Sequence, residues 1–228
     1  MLAWETLDSA QVPGAGQTLR LMRRGDEFAI WVDGRPLMIS REHASEDALA
    51  ELVCTRLQPH GLPPRILIGG LGMGFTLGAA LASLPADATV EVAEIVPQVV
   101  EWNRGPLAPL AGFPLLDSRC IVHESDVAEV LRGQQSPAAV YDAILLDVDN
   151  GPRSLSTPAN AWLYSPDGIR RAAAVLRPRG FLAVWSAGPD TSFTNRLRRA
   201  GLEVEETLVR SRGRKGGSRH TVWLARAS

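Results

Sequence analysis

From residue 65 onward, short runs of apolar residues alternate with segments in which apolar positions recur at helical spacing. The runs predict β-strands and the spaced segments predict α-helices. Continuous apolar strands that alternate with helices are typical of a parallel sheet covered on both faces. The last two strands are joined only by a loop, which predicts that the final strand is antiparallel. The predicted strands are 65–68, 89–95, 120–123, 141–146, 180–185, 202–209 and 220–225, and the predicted helices are 75–83, 97–103, 126–131, 166–176 and 191–200.

The first 60 residues have a different pattern. Three apolar-rich runs, separated by turn signals such as Asp33-Gly34, predict a small antiparallel meander over 18–40. A helix is predicted to follow over 45–57, with Ser45 and the acids after it suited to a helix N-terminus. We therefore predict an α/β protein. A short N-terminal β meander with a helix occupies residues 1–60. A Rossmann-like domain occupies residues 61–228, with a seven-stranded, mostly parallel sheet whose last strand is antiparallel.

The composition excludes several classes of protein. Among the 228 residues, 24 Lys and Arg nearly balance 25 Asp and Glu, which makes bulk nucleic-acid binding unlikely. The first residues lack the apolar run of an export signal, and no stretch approaches the roughly 18 apolar residues of a membrane span, so a cytoplasmic protein is expected. Cys54 and Cys120 lie far apart without metal-ligand spacing, so we expect neither a disulfide nor a metal.

A glycine-rich turn, 69–74, stands between the first predicted strand of the main sheet and the helix after it. Gly70, Gly72 and Gly74 permit a sharp bend and let a ligand lie against bare backbone. Glu94 ends the next strand, about 20 residues farther on, where a carboxylate can accept hydrogen bonds from ribose hydroxyls. This pairing predicts a nucleoside-binding site.

More acids follow the next two strands. Asp126 comes after the third strand, Asp147 ends the fourth, and Asp149 follows two residues later. Because the carboxyl ends of parallel strands meet at one edge of the sheet, we expect these acids beside the glycine turn. Helix capping or solvent exposure is the alternative role for each acid. The Gly-x-Gly-x-Gly spacing and the antiparallel end of the sheet favour S-adenosylmethionine, or its decarboxylated form, over a dinucleotide.

Several segments together resemble the spermidine synthase (polyamine aminopropyltransferase) family within the class I S-adenosylmethionine-dependent folds. The resemblance implies that the three glycines pass under the nucleoside, that Glu94 holds the ribose and that Asp126 accepts from the adenine amino group. It also implies that Asp147 stands at the reacting centre, with Asp149 beside it, and that a polyamine is the acceptor. The matching segments are 68–74, 90–95, 124–127, 141–152 and 176–183, and 30–40 is similar to that family's small β domain.

The chain departs from the family's pattern on the polyamine side. Met73 stands where the family carries the acid that recognises the propylamine, and Met38 stands where it carries a glutamine. A methyltransferase that uses S-adenosylmethionine on a small molecule or RNA, and a non-catalytic nucleoside-binding relative, therefore remain open. A pocket blocked by Met73 or Trp185 would indicate the latter, and a basic groove from Arg212 would indicate RNA. The strand edges of the short meander predict a homodimer.

Overall fold

The N-terminal region forms an antiparallel meander of four strands, β1 to β4, in that spatial order. The computed structural model of the chain describes residues 2–133, 140–148, 151–152 and 158–228. Asp33 and Gly34 both have positive φ, as a tight hairpin turn requires, and they join β3 to β4 at the predicted turn. The strands are β1 Glu5–Gln11, β2 Thr18–Arg24, β3 Glu27–Val32 and β4 Arg35–Ile39, and helix α1, Ala44–Cys54, follows.

Strand β1 is an addition to the predicted meander. Its residues are mostly exposed, its one partner among the described strands is β2, and its register shifts between Thr6 and Asp8. It therefore lacks the apolar alternation that marks a strand in sequence. Helix α1 also differs from its prediction: His43 is its N-cap residue and makes no side-chain cap hydrogen bond, so the helix does not begin on a Ser45 cap.

The rest of the chain forms a seven-stranded sheet in the order β10-β11-β9-β8-β5-β6-β7. Strands β5 to β9 pair in parallel, whereas β11 lies between β9 and β10 and is antiparallel to both, which confirms the predicted fold. The strands are β5 Arg65–Gly69, β6 Thr89–Ala93, β7 Cys120–His123, β8 Tyr141–Leu146, β9 Leu176–Ser186, β10 Glu203–Arg210 and β11 Arg219–Arg226. The helices between them are α2 Phe75–Ser83, α3 Pro97–Arg104, α4 Val127–Gly133, α5 Pro166–Val175 and α6 Thr191–Arg199.

The meander and the main sheet share one hydrophobic core. Every residue of β8 is buried, as expected for a parallel strand covered on both faces. Leu21 and Ile30 of the meander belong to the same buried cluster as Leu49 of α1 and Ile68 of β5. The meander and α1 thus cover the carboxyl ends of the strands on one side. The division of the chain at residue 60 stays a prediction. None of the helices described in this structure is long and apolar enough to cross a membrane.

Candidate active site

The strand order places a crevice beside β5. This strand pairs with β6 on one side and β8 on the other, so the chain winds away from it in both directions. In open α/β sheets, ligands bind outside the carboxyl ends of strands at such a switch point. A cavity of about 620 Å³ opens there, between the sheet edge, α1 and the meander.

The glycine turn forms one wall of this cavity. Gly70 has φ +88°, and a Cβ atom built on it would lie 2.3 Å from the backbone oxygen of Asp147. Gly72 has φ +53°, and a Cβ there would lie 2.8 Å from Met38 Sδ. Both line the cavity with bare backbone. Gly74, the N-cap residue of α2, lies behind the turn, where an added Cβ would meet Asn103 Oδ1 at 2.8 Å.

Glu94 follows β6 and also lines the cavity. Its Oε2 accepts from the backbone N–H of Leu71 and its Oε1 from that of Val96, each at 2.9 Å. Burial raises the pKa of this carboxyl group, and the backbone hydrogen bonds oppose that rise. Glu94 therefore stabilises the glycine turn from within the cavity lining.

Asp126 makes the helix-capping contact weighed for it in the sequence and also lines the cavity, while its contact with adenine stays a prediction. Its Oδ1 accepts from the backbone N–H of Ala128 at 2.8 Å at the start of α4, and its side chain lines the cavity. The cap uses one carboxylate oxygen. Since that bond occupies Oδ1 alone, Oδ2 is available to accept from a ligand.

Asp147 follows β8 at the centre of the cavity wall. Its Oδ2 accepts from Thr76 Oγ1 at 2.8 Å. Burial raises the pKa of the Asp147 carboxyl group to about 6, although the bond from Thr76 opposes the rise. Asp149 lies outside the described residues, so its predicted place beside Asp147 stays a prediction.

The sequence analysis missed a second group of polar residues in the cavity. Glu46 in the first turn of α1 and His220 in β11 both line it. Ser45 Oγ donates to Glu46 Oε2 at 2.5 Å and lies 2.8 Å from His220 Nδ1. Local patterns carry no signal for this cluster, because the sequence marks Glu46 only as a first-turn acid and His220 only as the start of a strand.

The cavity is strongly acidic. Five carboxylate side chains line it, while no lysine or arginine is found among its described lining residues. Within the described part of the chain, only Glu42 of the five has an arginine partner, Arg212, at 2.5 Å. The meander adds an apolar roof, and Trp185 adds an aromatic wall. The acids are Glu42, Glu46, Glu94, Asp126 and Asp147.

Comparison with known proteins connects this architecture with one group of enzymes. No family model matches the chain. The polyamine aminopropyltransferase of Mycobacterium tuberculosis (strain H37Rv) is 28% identical over 196 residues, which cover 83% of this chain and 36% of that protein. The spermidine synthase structure from Thermotoga maritima superposes with a TM-score of 0.73 at 19% identity, covering 98% of this chain and 73% of that one. A spermidine synthase complex with the transition state analogue AdoDATO gives 0.72 at 19% identity, covering 98% and 72%.

The chain is spermidine synthase-like. Its match spans about a third of the length of the curated relatives, so their activity is a proposal for this protein. In this spermidine synthase-like chain Met73 is fully buried in the core and Trp185 forms a wall, so neither side chain blocks the cavity. The described residues contain no cluster of three or more His, Cys, Asp or Glu side chains placed to hold a metal ion.

Proposed function

We propose that this protein transfers an aminopropyl group from decarboxylated S-adenosylmethionine to an amine of the polyamine class. The observation that carries the proposal is the cavity itself. It adjoins a bare glycine turn, and five carboxylates line it without any lysine or arginine among the described lining residues. Both proposed substrates are cations, so this charge suits each of them.

The donor's nucleoside fits the glycine side of the cavity. Gly70 and Gly72 leave room for it against the backbone, Glu94 accepts from the ribose hydroxyls and Asp126 Oδ2 accepts from the adenine amino group. These roles rest on the family resemblance, and each residue lines the cavity. Gly74 shapes the start of α2 instead of touching the donor.

The charge of the cavity favours the decarboxylated donor. Ordinary S-adenosylmethionine carries a carboxylate, which would enter a space where no described lining residue is a lysine or arginine. Burying that anion among carboxylates costs free energy, whereas the decarboxylated form presents only a sulfonium and an ammonium group. The same charge disfavours RNA phosphates, and Arg212 is paired with Glu42 at the rim. Aminopropyl transfer is therefore favoured over methyl transfer despite Met73.

In the transfer, the acceptor's amine loses a proton. Its nitrogen lone pair then attacks the aminopropyl carbon that is bonded to the sulfonium. A C–N bond forms as the C–S bond breaks, and the bonding electrons pass to sulfur, leaving neutral methylthioadenosine. Asp147 lies next to the glycine turn, where it can hold the amine in line with that carbon. The cavity's acids also stabilise the sulfonium until its charge is lost.

The test compares donors and then measures transfer. Decarboxylated S-adenosylmethionine should raise the unfolding temperature more than S-adenosylmethionine does. At equal concentration, the ligand with the higher affinity for the native state stabilises that state more. Asp126→Asn keeps the Oδ1 that caps α4 but replaces the other oxygen with a donor, so it should weaken this effect. Incubation with aliphatic diamines should then yield methylthioadenosine. Stronger stabilisation by S-adenosylmethionine, or no transfer to any diamine, would reject the proposal.

A further inference from the structure

The Glu46 carboxyl group has no role in the transfer as described above, although it lies in the same cavity as Asp147. Its residue is only 7% exposed, and it comes from α1 rather than from the sheet. Burial raises the pKa of Glu46 to about 8, and the nearby charge of Asp147 contributes to this rise. Two carboxyl groups that face one partly dry space do not readily ionise together, so the pair retains a proton near neutral pH.

Ser45 and His220 provide a path between Glu46 and the rest of the cavity. When Glu46 is ionised, His220 Nδ1–H can donate to Ser45 Oγ, whose hydroxyl donates to Glu46. When Glu46 is protonated, its O–H can donate to Ser45 Oγ, whose hydroxyl then donates to His220 Nδ1. The distances of 2.5 Å and 2.8 Å suit both directions. The chain of three groups is therefore satisfied in either protonation state of Glu46.

Each carboxyl group of the pair accepts one hydroxyl hydrogen bond, Asp147 from Thr76 and Glu46 from Ser45. Thr76 Oγ1 lies 2.8 Å from Asp147 Oδ2 and 3.4 Å from the backbone oxygen of Glu46, so its hydroxyl group donates to Asp147. A donated hydrogen bond favours the ionised form of the carboxyl group that accepts it. Since each acid has one such bond, the difference comes from burial and from the charge of Asp147, which together raise the pKa of Glu46 to about 8, whereas burial raises the pKa of Asp147 only to about 6. Asp147 is therefore the member of the pair that ionises first, and Glu46 is the member that gains and loses the proton.

We propose that Glu46 takes the proton from the acceptor amine, that Asp147 holds the charge of that amine, and that Ser45 and His220 pass the proton onward. The inference rests on the proposed function, since it concerns the same transfer. The ammonium N–H bond breaks with its electrons left on nitrogen, and the proton joins a Glu46 oxygen. It then moves through Ser45 Oγ to His220 and on to solvent. Overall, the two cations yield one ammonium product, a thioether and a free proton.

Other charged groups face this cluster from each neighbouring element. Asp47 follows Glu46 in α1 and bonds to His43 Nδ1 at 2.7 Å. Burial lowers the pKa of His220, while Glu42 opposes that shift, so the ring is neutral and able to receive a proton at pH 7. The groups around the cluster are Glu42, His43 and Asp47 near α1, Thr76 in α2, Asp147 after β8, and Ser211 and Arg212 in the loop after β10.

The test is the pH dependence of transfer in Glu46→Gln. Wild-type kcat/KM should rise with pH up to about 8, the pKa of Glu46. Glu46→Gln should lose this upper step and lower kcat by about 100-fold or more, the usual range for loss of a general base. Ser45→Ala and His220→Gln should lower kcat and shift the profile while leaving KM for the amine nearly unchanged, as positioning residues do. Glu51→Gln, an exposed glutamate on the same helix, is the matched control and should behave as wild type.

A second measurement does not need an active variant. In wild-type protein carrying ¹³C-labelled glutamate, the carboxyl signals that titrate above the ordinary range should include one that is missing in Glu46→Gln. A Glu46 carboxyl that titrates near 4.5, or a Glu46→Gln variant with the wild-type rate and pH profile, would overturn this inference while leaving aminopropyl transfer standing. A wild-type protein that transfers to no amine would instead reject the proposed function, and this inference with it.

Discussion

Two pairs of buried or half-buried acids in this molecule have opposite surroundings. Asp142 and Glu91 lie in the main sheet, and each has cationic partners. Asp142 accepts from Arg177 Nη1 at 2.6 Å and from the backbone N–H of Arg65 at 2.7 Å, and its other oxygen bonds to His60. Glu91 accepts from Arg65 Nε at 2.6 Å and bonds to His123 at 2.8 Å.

Asp147 and Glu46, at the carboxyl edge, have no arginine or lysine partner among the described residues. Their hydrogen-bond partners are the hydroxyl groups of Thr76 and Ser45. A buried carboxylate that has a counterion within the protein serves the fold. Where no counterion is present, burial raises the pKa of the carboxyl group, and the group can pair with a cationic ligand instead. The comparison therefore separates acids that serve the fold from the two acids that the proposed function assigns to a substrate.

The largest expected effect is on activity, from Asp147→Asn. Because the amide cannot hold an ammonium charge, transfer should fall by about 10²–10⁴-fold. The variant should unfold at a temperature no lower than wild type at pH 8, since it removes a half-buried charge that has no arginine or lysine partner among the described residues. Methylthioadenosine formation and thermal unfolding measure the two effects. Transfer within tenfold of wild type would contradict the comparison.

Asp142→Ala should have the reverse outcome. It leaves the Arg177 guanidinium and the Arg65 amide without their acceptor, so the free energy of unfolding should fall by about 3 kcal/mol. Urea unfolding measures this loss. Asp87→Ala, at an exposed turn, is the control and should change stability by less than about 0.5 kcal/mol. If Asp142→Ala is no more destabilising than this control, the structural role is wrong.

The pH dependence of stability sharpens the contrast further. The Glu46 pKa is raised from 4.5 to about 8, so between these values the unfolded chain ionises while the native carboxyl group stays protonated. Because the native state holds this proton more tightly than the unfolded chain does, the free energy of unfolding falls progressively as the pH rises from 4.5 to about 8. Glu46→Gln should unfold at a temperature higher than wild type by about 5 °C at pH 8, and this advantage should nearly vanish at pH 4.5. A difference in unfolding temperature between wild type and Glu46→Gln that does not depend on pH would refute the raised pKa of Glu46.

The smallest expected effect concerns Arg212, which forms an ion pair with the cavity acid Glu42. This ion pair with Glu42 is partly exposed, so Arg212→Ala should change stability by less than about 1 kcal/mol. Because it frees a carboxylate at the rim, it should tighten diamine binding by about two- to fivefold, measured by titration calorimetry. Weaker binding would show that Arg212 assists the ligand instead.

Sequence patterns predicted most of the architecture. The strands and helices from β5 onward, and the antiparallel final strand, follow from apolar runs and helical spacing that are local in the chain. The extent of β9 does not: it begins at Leu176, where Leu176 pairs with Tyr141 before the register shifts, rather than at residue 180. Strand β1 was missed for the related reason that pairing, not apolar alternation, maintains it.

By itself, the sequence determined the glycine turn, Glu94 and the acids after the next strands, because each belongs to a single strand–helix unit whose geometry is local. It could not place Glu46 beside Asp147, Met38 over Gly72, or Ser45 beside His220, a residue 175 positions away. These three contacts depend on how α1 and the meander pack against the sheet edge and on where β11 inserts into the sheet. Only long-range packing decides such contacts, so the side of the cavity formed by the glycine turn and the strand ends was predictable and the side formed by α1 and β11 was not.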